Sequence, residues 1–428
     1  MARPPRRYFG TDGVRGVYGD DLTDELVERL ARGFARWRRG STLVARDTRS
    51  SGPALEAALL AGLTAAGGDA LRAGILPTPA AALLSEENAA VISASHNPPE
   101  YNGVKLFTDG GRKLTDAEEA AVEDLLGAAN GDGGTVSDAP GLAERYVDIV
   151  CARFGGPLAG LRLVVDCANG AMVDVAPAAF DRLGASVVSI GNRPDGTNIN
   201  VGCGATDLSL LSTRVAGGDF DLGVAFDGDG DRMLAVDAGG NEVDGDQILA
   251  TVALHLGVDL VAVTELTNLG FHRLMEERGT RVVTTAVGDR YVLEALREEG
   301  GLLGGEQSGH LIYLNGHTTG DGLVAAILLA RAVVEQQAPL AELAARMPKY
   351  PQAKENVRVT NKEIPPGVTA EVERLNQELA GKGRVLVRPS GTEPVIRVVA
   401  EAESAEFAAH LCATIATLVR ESSASAGL

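Results

Sequence analysis

Two short stretches of this chain, far apart in sequence, hold residue types that together could carry out one reaction. Ser93-Ala94-Ser95-His96-Asn97-Pro98 offers a serine hydroxyl in a polar turn after an apolar run, and Asp227-Gly228-Asp229-Gly230-Asp231-Arg232 offers three carboxylates at alternate positions, also after an apolar run. Alternating Asp with Gly lets one small loop aim several hard oxygen ligands at one cation, because glycine takes backbone angles that other residues resist. A serine able to carry a phosphoryl group, set against a divalent-metal loop, is the equipment of phosphoryl transfer. The carboxylate run begins like an EF-hand but fails the match, with Arg232 at the sixth position and Ala238 at the twelfth. A solvated acidic turn is the alternative for any Asp-Gly sequence. Three carboxylates this close repel one another, however, unless a cation or an arginine compensates. Mg2+, one per subunit, suits Asp227, Asp229 and Asp231 because it takes few carboxylates and completes its shell with water and phosphate oxygen.

Other motifs supply candidate partners. Lys105, in Asn102-Gly103-Val104-Lys105, could draw the serine proton or neutralise its phosphate; a surface lysine at a strand start is the plain alternative. His96 joins the catalytic candidates beside Ser95, although adjacent residues rarely face each other productively and no G-x-S-x-G elbow is present. The glycine-rich Phe9-Gly10-Thr11-Asp12-Gly13-Val14-Arg15-Gly16 is not an ATP P-loop, and Arg15 is expected to reach toward a phosphate. Arg388-Pro389-Ser390-Gly391-Thr392-Glu393-Pro394, with Arg397 after it, combines guanidinium groups, hydroxyls and a glycine N–H in a nest for a phosphate that is bound but not reacting. Gly304-Gly305-Glu306-Gln307-Ser308-Gly309-His310 suits recognition of sugar hydroxyls. Arg290, in Val287-Gly288-Asp289-Arg290, is expected to cap a helix or bind phosphate. Arg232, Asp289 and His310, which lie inside these motifs, complete the substrate-binding candidates.

These side chains need a scaffold of several domains, since 428 residues exceed one ordinary core. With 45% hydrophobic and 23% charged residues the composition is that of a soluble globular protein. A net charge of −19 argues against nucleic acid, whose affinity rests on Lys and Arg, but allows a small anion held by a local arginine cluster. Cys151, Cys167, Cys203 and Cys412 form no CxxC pair, so buried reduced thiols are expected. No apolar run reaches membrane-spanning length and the basic N-terminus lacks a following apolar segment, so a cytoplasmic protein with no membrane partner is the expectation.

Short apolar runs alternate with Ala/Leu-rich helical stretches: strands at Thr42–Ala45, Ala89–Ile92, Leu161–Val165, Leu222–Phe226, Leu260–Val263 and Arg281–Thr284, and helices at Pro53–Ala66 and Leu142–Phe154. This alternation predicts α/β layers. A hinge is expected at Gly127–Gly141, with further breaks at His255–Asp259 and Pro351–Glu355. The expected domains are 1–155 for the serine, 156–255 for the metal, 256–353 for the sugar and 354–428 for the distal phosphate. The serine, carboxylate and Gly304–His310 loops each follow an apolar run, as ligand loops do at the carboxyl ends of α/β strands, so three domains could present one loop each to a common cleft.

From Phe9 to Glu401 the chain resembles the α-D-phosphohexomutase family, on FGTDGVRG at 9–16, SASHNP at 93–98, NGVK at 102–105, CGATD at 203–207, DGDGDR at 227–232, GGEQSGH at 304–310 and RPSGTEP at 388–394. The resemblance implies three similar α/β domains with mixed sheets plus a smaller α+β phosphate-binding domain around a central cleft. It implies phosphorylated Ser95, whose phosphate completes the Mg2+ ligands. It assigns Glu306 and Ser308 to sugar hydroxyls, and Arg388, Ser390, Gly391, Thr392 and Arg397 to the distal phosphate. Members acting on mannose or glucose phosphates often carry Met where this chain has Gln307. The implied reaction is therefore interconversion of glucosamine 6-phosphate and glucosamine 1-phosphate, a step toward UDP-N-acetylglucosamine and cell-wall precursors. A hexose 1,6-bisphosphate is the implied primer or intermediate, and a homodimer is left open. Mutases of mannose or glucose phosphate are the runner-up, followed by a Mg2+-dependent sugar phosphatase and a non-catalytic sensor.

Overall fold

The computed structural model describes residues 7–10, 12–390 and 394–425, with side chains to residue 422. These divide into two compact units: Met1–Leu266 with Gly279–Arg346, and Thr267–Arg278 with Met347–Leu428.

The first unit contains three mixed sheets. The first sheet comprises β1 (Val14–Val17), β2 (Thr42–Arg46), β3 (Ala70–Ile75), β4 (Asn88–Ile92), β5 (Tyr101–Thr108), β6 (Arg112–Lys113) and β7 (Val136–Asp138). The second comprises β8 (Arg162–Asp166), β9 (Ser186–Ile190), β10 (Leu222–Phe226), β11 (Met233–Asp237) and β12 (Glu242–Val243), and the third β13 (Leu260–Thr264), β14 (Arg281–Thr285), β15 (Leu303–Gly305) and β16 (Leu311–Tyr313). One strand order recurs in all three: β3-β2-β4-β5, β9-β8-β10-β11 and β14-β13-β15-β16. In each, three parallel strands joined through helices are closed by an antiparallel fourth. The apolar runs of β4 and β10 are wholly buried, as parallel strands covered on both faces require.

This repeat explains the loop placement. The turn from β4 into β5 carries Ser95, that from β10 into β11 carries the carboxylates, and that from β15 into β16 carries Glu306 to His310. The carboxylate loop is closed by the register pair Phe226–Met233, and the last loop by Gly305–Leu311.

One expectation is corrected. Residues 127–141 were expected as a hinge, but they contain β7, which extends the first sheet in parallel with β3. Its three residues are all exposed, so no apolar pattern marks them. Asp69 Oδ1 ties the strand entry by accepting from the Thr135 backbone N–H (2.8 Å) and hydroxyl (2.6 Å).

The second unit is an antiparallel sheet of β17 (Gln352–Arg358), β18 (Gly383–Pro389) and β19 (Val395–Ala402), in the order β17-β19-β18. Its core joins Val357, Val385, Ile396 and Val398 to Leu411 and Ile415 of the helix Ala405–Ser425. The helix Leu269–Arg278, inside the expected third domain, belongs to this unit through reciprocal 2.9 Å bonds between the Asn268 carboxamide and the Tyr350 backbone. Among the described residues no helix is long and apolar enough to cross a membrane.

Candidate active site

Ser95 sits where two of the repeated loops meet. It is 1% exposed and has φ of 54°, a left-handed conformation uncommon for serine. Its hydroxyl donates to Asp227 Oδ2 and lies 3.2 Å from His96 Nδ1. Adjacent side chains ordinarily diverge; these two come within hydrogen-bond reach of each other. Burial, then Arg232 and Arg15, push the His96 imidazole down to about 4. Beneath the loop, the Ser93 hydroxyl accepts from the Ser95 N–H (2.9 Å) and donates to buried Asp47 (2.5 Å).

The carboxylate loop is as buried as the serine. Asp227, Asp229 and Asp231 are 0%, 0% and 4% exposed, and each offers an oxygen within 4.8 Å of the others. Asp227 Oδ1 folds the loop over itself by accepting from the Gly230 and Arg232 N–H groups, both at 3.1 Å. Lys105 is buried rather than on the surface: it lies within β5 and reaches Asp229 (2.7 Å), Asp231 (3.0 Å) and Asp12 (3.0 Å). Burial alone would lower its pKa, but Asp12, Asp229 and Asp231 outweigh it and hold the ammonium well above its usual range. Burial, followed by repulsion from Asp231 and Asp229, pushes Asp227 well above the carboxylate range.

These residues fit a hard divalent cation. Three buried carboxylates converge with one lysine among them, and Asp229 Oδ1 and Asp231 Oδ1 are buried with no hydrogen-bond partner. Such oxygens are costly to bury unless something binds them.

A charged network extends from this centre. Arg15, on β1, pairs with Asp12. Lys113, which the sequence reading did not single out, bridges Asp12 and Asp289, both at 2.6 Å. His310 lies 3.8 Å from Asp231 and 3.6 Å from Asp289. Thr78, also not singled out, donates to Asp229 at 2.5 Å. Only the FGTDGVRG motif hinted at Asp12, and nothing local marked Lys113 or Thr78, whose partners are remote in sequence. Arg232 Nε is 3.9 Å from Asp231. Glu306 is half-buried and accepts from the Gly288 N–H (3.2 Å), and Ser308 is exposed. The Gln307 carboxamide donates to buried Asp246 at 3.2 Å, which anchors the loop. Arg290 is engaged by Asp116 and by Glu119 (2.9 Å).

In the second unit Arg388 and Arg397 face each other across β18 and β19. Like charges directly opposite are unfavourable without an anion or carboxylate nearby. Ser390 is buried, with its carbonyl receiving Lys362 at 2.9 Å and its hydroxyl 3.4 Å from Arg397. Gly391 and Thr392 lie outside the described residues.

A buried serine set against a carboxylate loop from a second sheet, within a thrice-repeated α/β arrangement, defines the phosphohexomutase class of phosphoryl-transfer enzymes. Family models for phosphoglucomutase/phosphomannomutase match along the chain: domain I at residues 6–130, domain II at 144–240, domain III at 244–350 and the C-terminal domain at 329–418. The chain belongs to this family and is an isomerase. It is 46% identical over 439 residues to a phosphoglucosamine mutase of Pelotomaculum thermopropionicum and 49% identical over 441 residues to one of Saccharopolyspora erythraea. Both alignments cover 96% of this chain and 99% of the relative. The fold matches a phosphoglucomutase/phosphomannomutase family protein of Burkholderia thailandensis (TM-score 0.81, 24% identity, 95% of this chain and 96% of that one). It also matches Aspergillus fumigatus N-acetylphosphoglucosamine mutase, solved with GlcNAc-6P and magnesium (TM-score 0.70, 19% identity, 99% and 97%).

Proposed function

We infer that this chain interconverts glucosamine 6-phosphate and glucosamine 1-phosphate through a phosphorylated Ser95. The observation that carries the reading is the Ser95 hydroxyl buried against Asp227, in a chain almost wholly alignable with phosphoglucosamine mutases. In the forward direction the Ser95 Oγ–P bond breaks as O1 of glucosamine 6-phosphate forms its own bond to phosphorus, and the O1 proton passes to the leaving Ser95 Oγ, giving the 1,6-bisphosphate and a free serine hydroxyl. After the bisphosphate turns over, Ser95 Oγ attacks the 6-phosphate, O6 leaves with a proton, and glucosamine 1-phosphate departs.

His96, whose Nδ1 lies 3.2 Å from Ser95 Oγ, would take the serine proton during that second attack. Lys105 and Arg15 supply positive charge beside the transferring group. Asp227, Asp229 and Asp231 would hold Mg2+, whose contribution is to neutralise phosphoryl charge. Glu306 and Ser308 would receive sugar hydroxyls, with Arg232, Asp289, Arg290 and His310 around them. Arg388, Ser390, Gly391, Thr392 and Arg397 would hold the phosphate that is not reacting.

Parallel turnover of glucosamine, glucose and mannose 6-phosphates tests the reading. Glucosamine phosphate should have the highest kcat/KM. Glucose or mannose phosphate ranking first would make the chain a phosphoglucomutase or phosphomannomutase instead.

A further inference from the structure

The mutase chemistry needs Ser95 Oγ aimed at the carboxylate loop, and a serine with φ of 54° does not hold that pose unaided. Left-handed backbone at a non-glycine residue is strained and persists only where the surroundings enforce it. Two side chains outside every motif singled out in the sequence donate to the Ser95 carbonyl.

Arg49 is 1% exposed, and each of its five guanidinium N–H groups has an acceptor. Nε donates to Asp47 Oδ2 (2.9 Å). Nη1 donates to the Pro98 and Tyr101 carbonyls, the latter at 2.9 Å, and Nη2 to those of Ser95 and Asn97, both at 2.9 Å. One planar fork thus collects three carbonyl oxygens of the serine loop and that of Tyr101 at the start of β5. Asn200, from the second sheet's domain, approaches the same oxygens: its Nδ2 donates to the Ser95 carbonyl at 2.9 Å and to that of Asn97 at 3.2 Å. Asn200 itself has φ of 60°. The Ser95 carbonyl is therefore gripped by one donor from its own domain and one from the domain that carries the carboxylates.

We propose that Arg49 and Asn200 are positioning residues for the phosphoryl transfer, a two-donor clamp on the Ser95 carbonyl that holds its hydroxyl in line with Asp227. The proposal rests on the mutase reading. Loss of the clamp lets Ser95 relax toward ordinary negative φ, which swings Oγ off the carboxylate loop while leaving the sugar and distal-phosphate contacts in place. The effect should fall on the chemical step rather than on substrate binding.

The test uses the full chain with Mg2+ and compares wild type with Asn200→Gly, which tolerates the positive φ, Asn200→Asp, which turns a donor into an acceptor, and Arg49→Lys, which keeps the charge but offers three donors. Phosphorylation of Ser95 by glucose 1,6-bisphosphate is timed in single turnover, and affinity for glucosamine 6-phosphate is measured by calorimetry. The expected result is a transfer rate lowered about tenfold to a hundredfold with affinity changed less than about threefold. Folded Asn200 variants that transfer at the wild-type rate, with only a lowered melting temperature, overturn the proposal, as does a loss confined to affinity. An Arg49→Lys chain that fails to fold leaves the decision to the two Asn200 variants. Wild type that accepts no phosphoryl group overturns the mutase reading itself, an outcome distinct from wild-type transfer with unaffected variants.

Discussion

Ser95 and the three aspartates sit where ordinary surface residues would not be stable. A hydroxyl in a left-handed turn and three carboxylates converging in a buried pocket each cost free energy, and such costs persist where function holds them. Ser95→Ala should lower turnover by about a thousandfold or more while leaving the melting temperature within about 3 °C, since a loop hydroxyl adds little to the core. Intact-protein mass spectrometry should then find phosphate on the wild type after bisphosphate treatment and none on the variant; a wild type that is active yet never phosphorylated contradicts the assignment. Asp229→Asn or Asp231→Asn should lower kcat about a hundredfold or more, the effect of several kcal/mol of lost charge stabilisation. EDTA should abolish activity and Mg2+ restore it, and full turnover in chelator would sink the metal assignment. Much of this site was legible, because Ser95, Lys105 and the Asp-Gly alternation are local patterns. Lys113, Thr78, Arg49 and Asn200 were not, because each earns its role from partners the chain brings close only on folding.

At the level of elements, the close packing of the repeated loops makes small residues matter. A Cβ added at Gly228 would lie 2.6 Å from the Ser95 carbonyl oxygen and 2.8 Å from Ile199 Cδ1. Gly228→Ala should therefore push the carboxylate loop off the serine loop and lower kcat about tenfold or more, with the chain still folded by circular dichroism; unchanged steady-state kinetics would contradict the packing. In the second unit the helix Leu269–Arg278 carries His272, which burial and then Arg384 push down to about 4. The folded pKa lies below the unfolded value of about 6.5, so the unfolded state binds the proton first as pH falls. Stability from this group is intact above about pH 6.5 and is lost toward pH 4, by at most about 3 kcal/mol. His272→Gln should flatten that part of the stability–pH curve in urea titrations, and an equally steep curve would rule the group out. Strand identities such as β2, β4 and β10 were readable because buried parallel strands are continuous apolar runs. The exposed edge strand β7 was not, since Gly and Asp around it signal turns and the bonds that tie its entry, joining Asp69 and Ala70 to Thr135 and Gly134 to Thr64, link residues remote in sequence.

For the whole molecule, one topology used three times delivers three loops from equivalent sheet positions, and the α/β alternation in the sequence carried that class of fold. The shared strand order itself came only with pairing, because sequence spacing does not say which strands lie side by side. Specificity belongs to this scale as well. The Gln307 carboxamide is bonded to Asp246, a bond that a methionine could not make; if C2 is read by one polar contact, the expected discrimination is modest, about tenfold to a few hundredfold in kcat/KM for glucosamine over glucose phosphate. The central claim, that Ser95 passes its phosphoryl group to the sugar and is refilled from it, is met most directly by a chase. Enzyme carrying a radiolabelled phosphoryl group on Ser95 is mixed with unlabelled glucosamine 6-phosphate and the products are separated. The label should leave the protein and appear in the 1-phosphate of glucosamine 1-phosphate, while Ser95 remains phosphorylated with unlabelled phosphate. Label released as inorganic phosphate, or label that stays on the protein while product forms, would contradict the account.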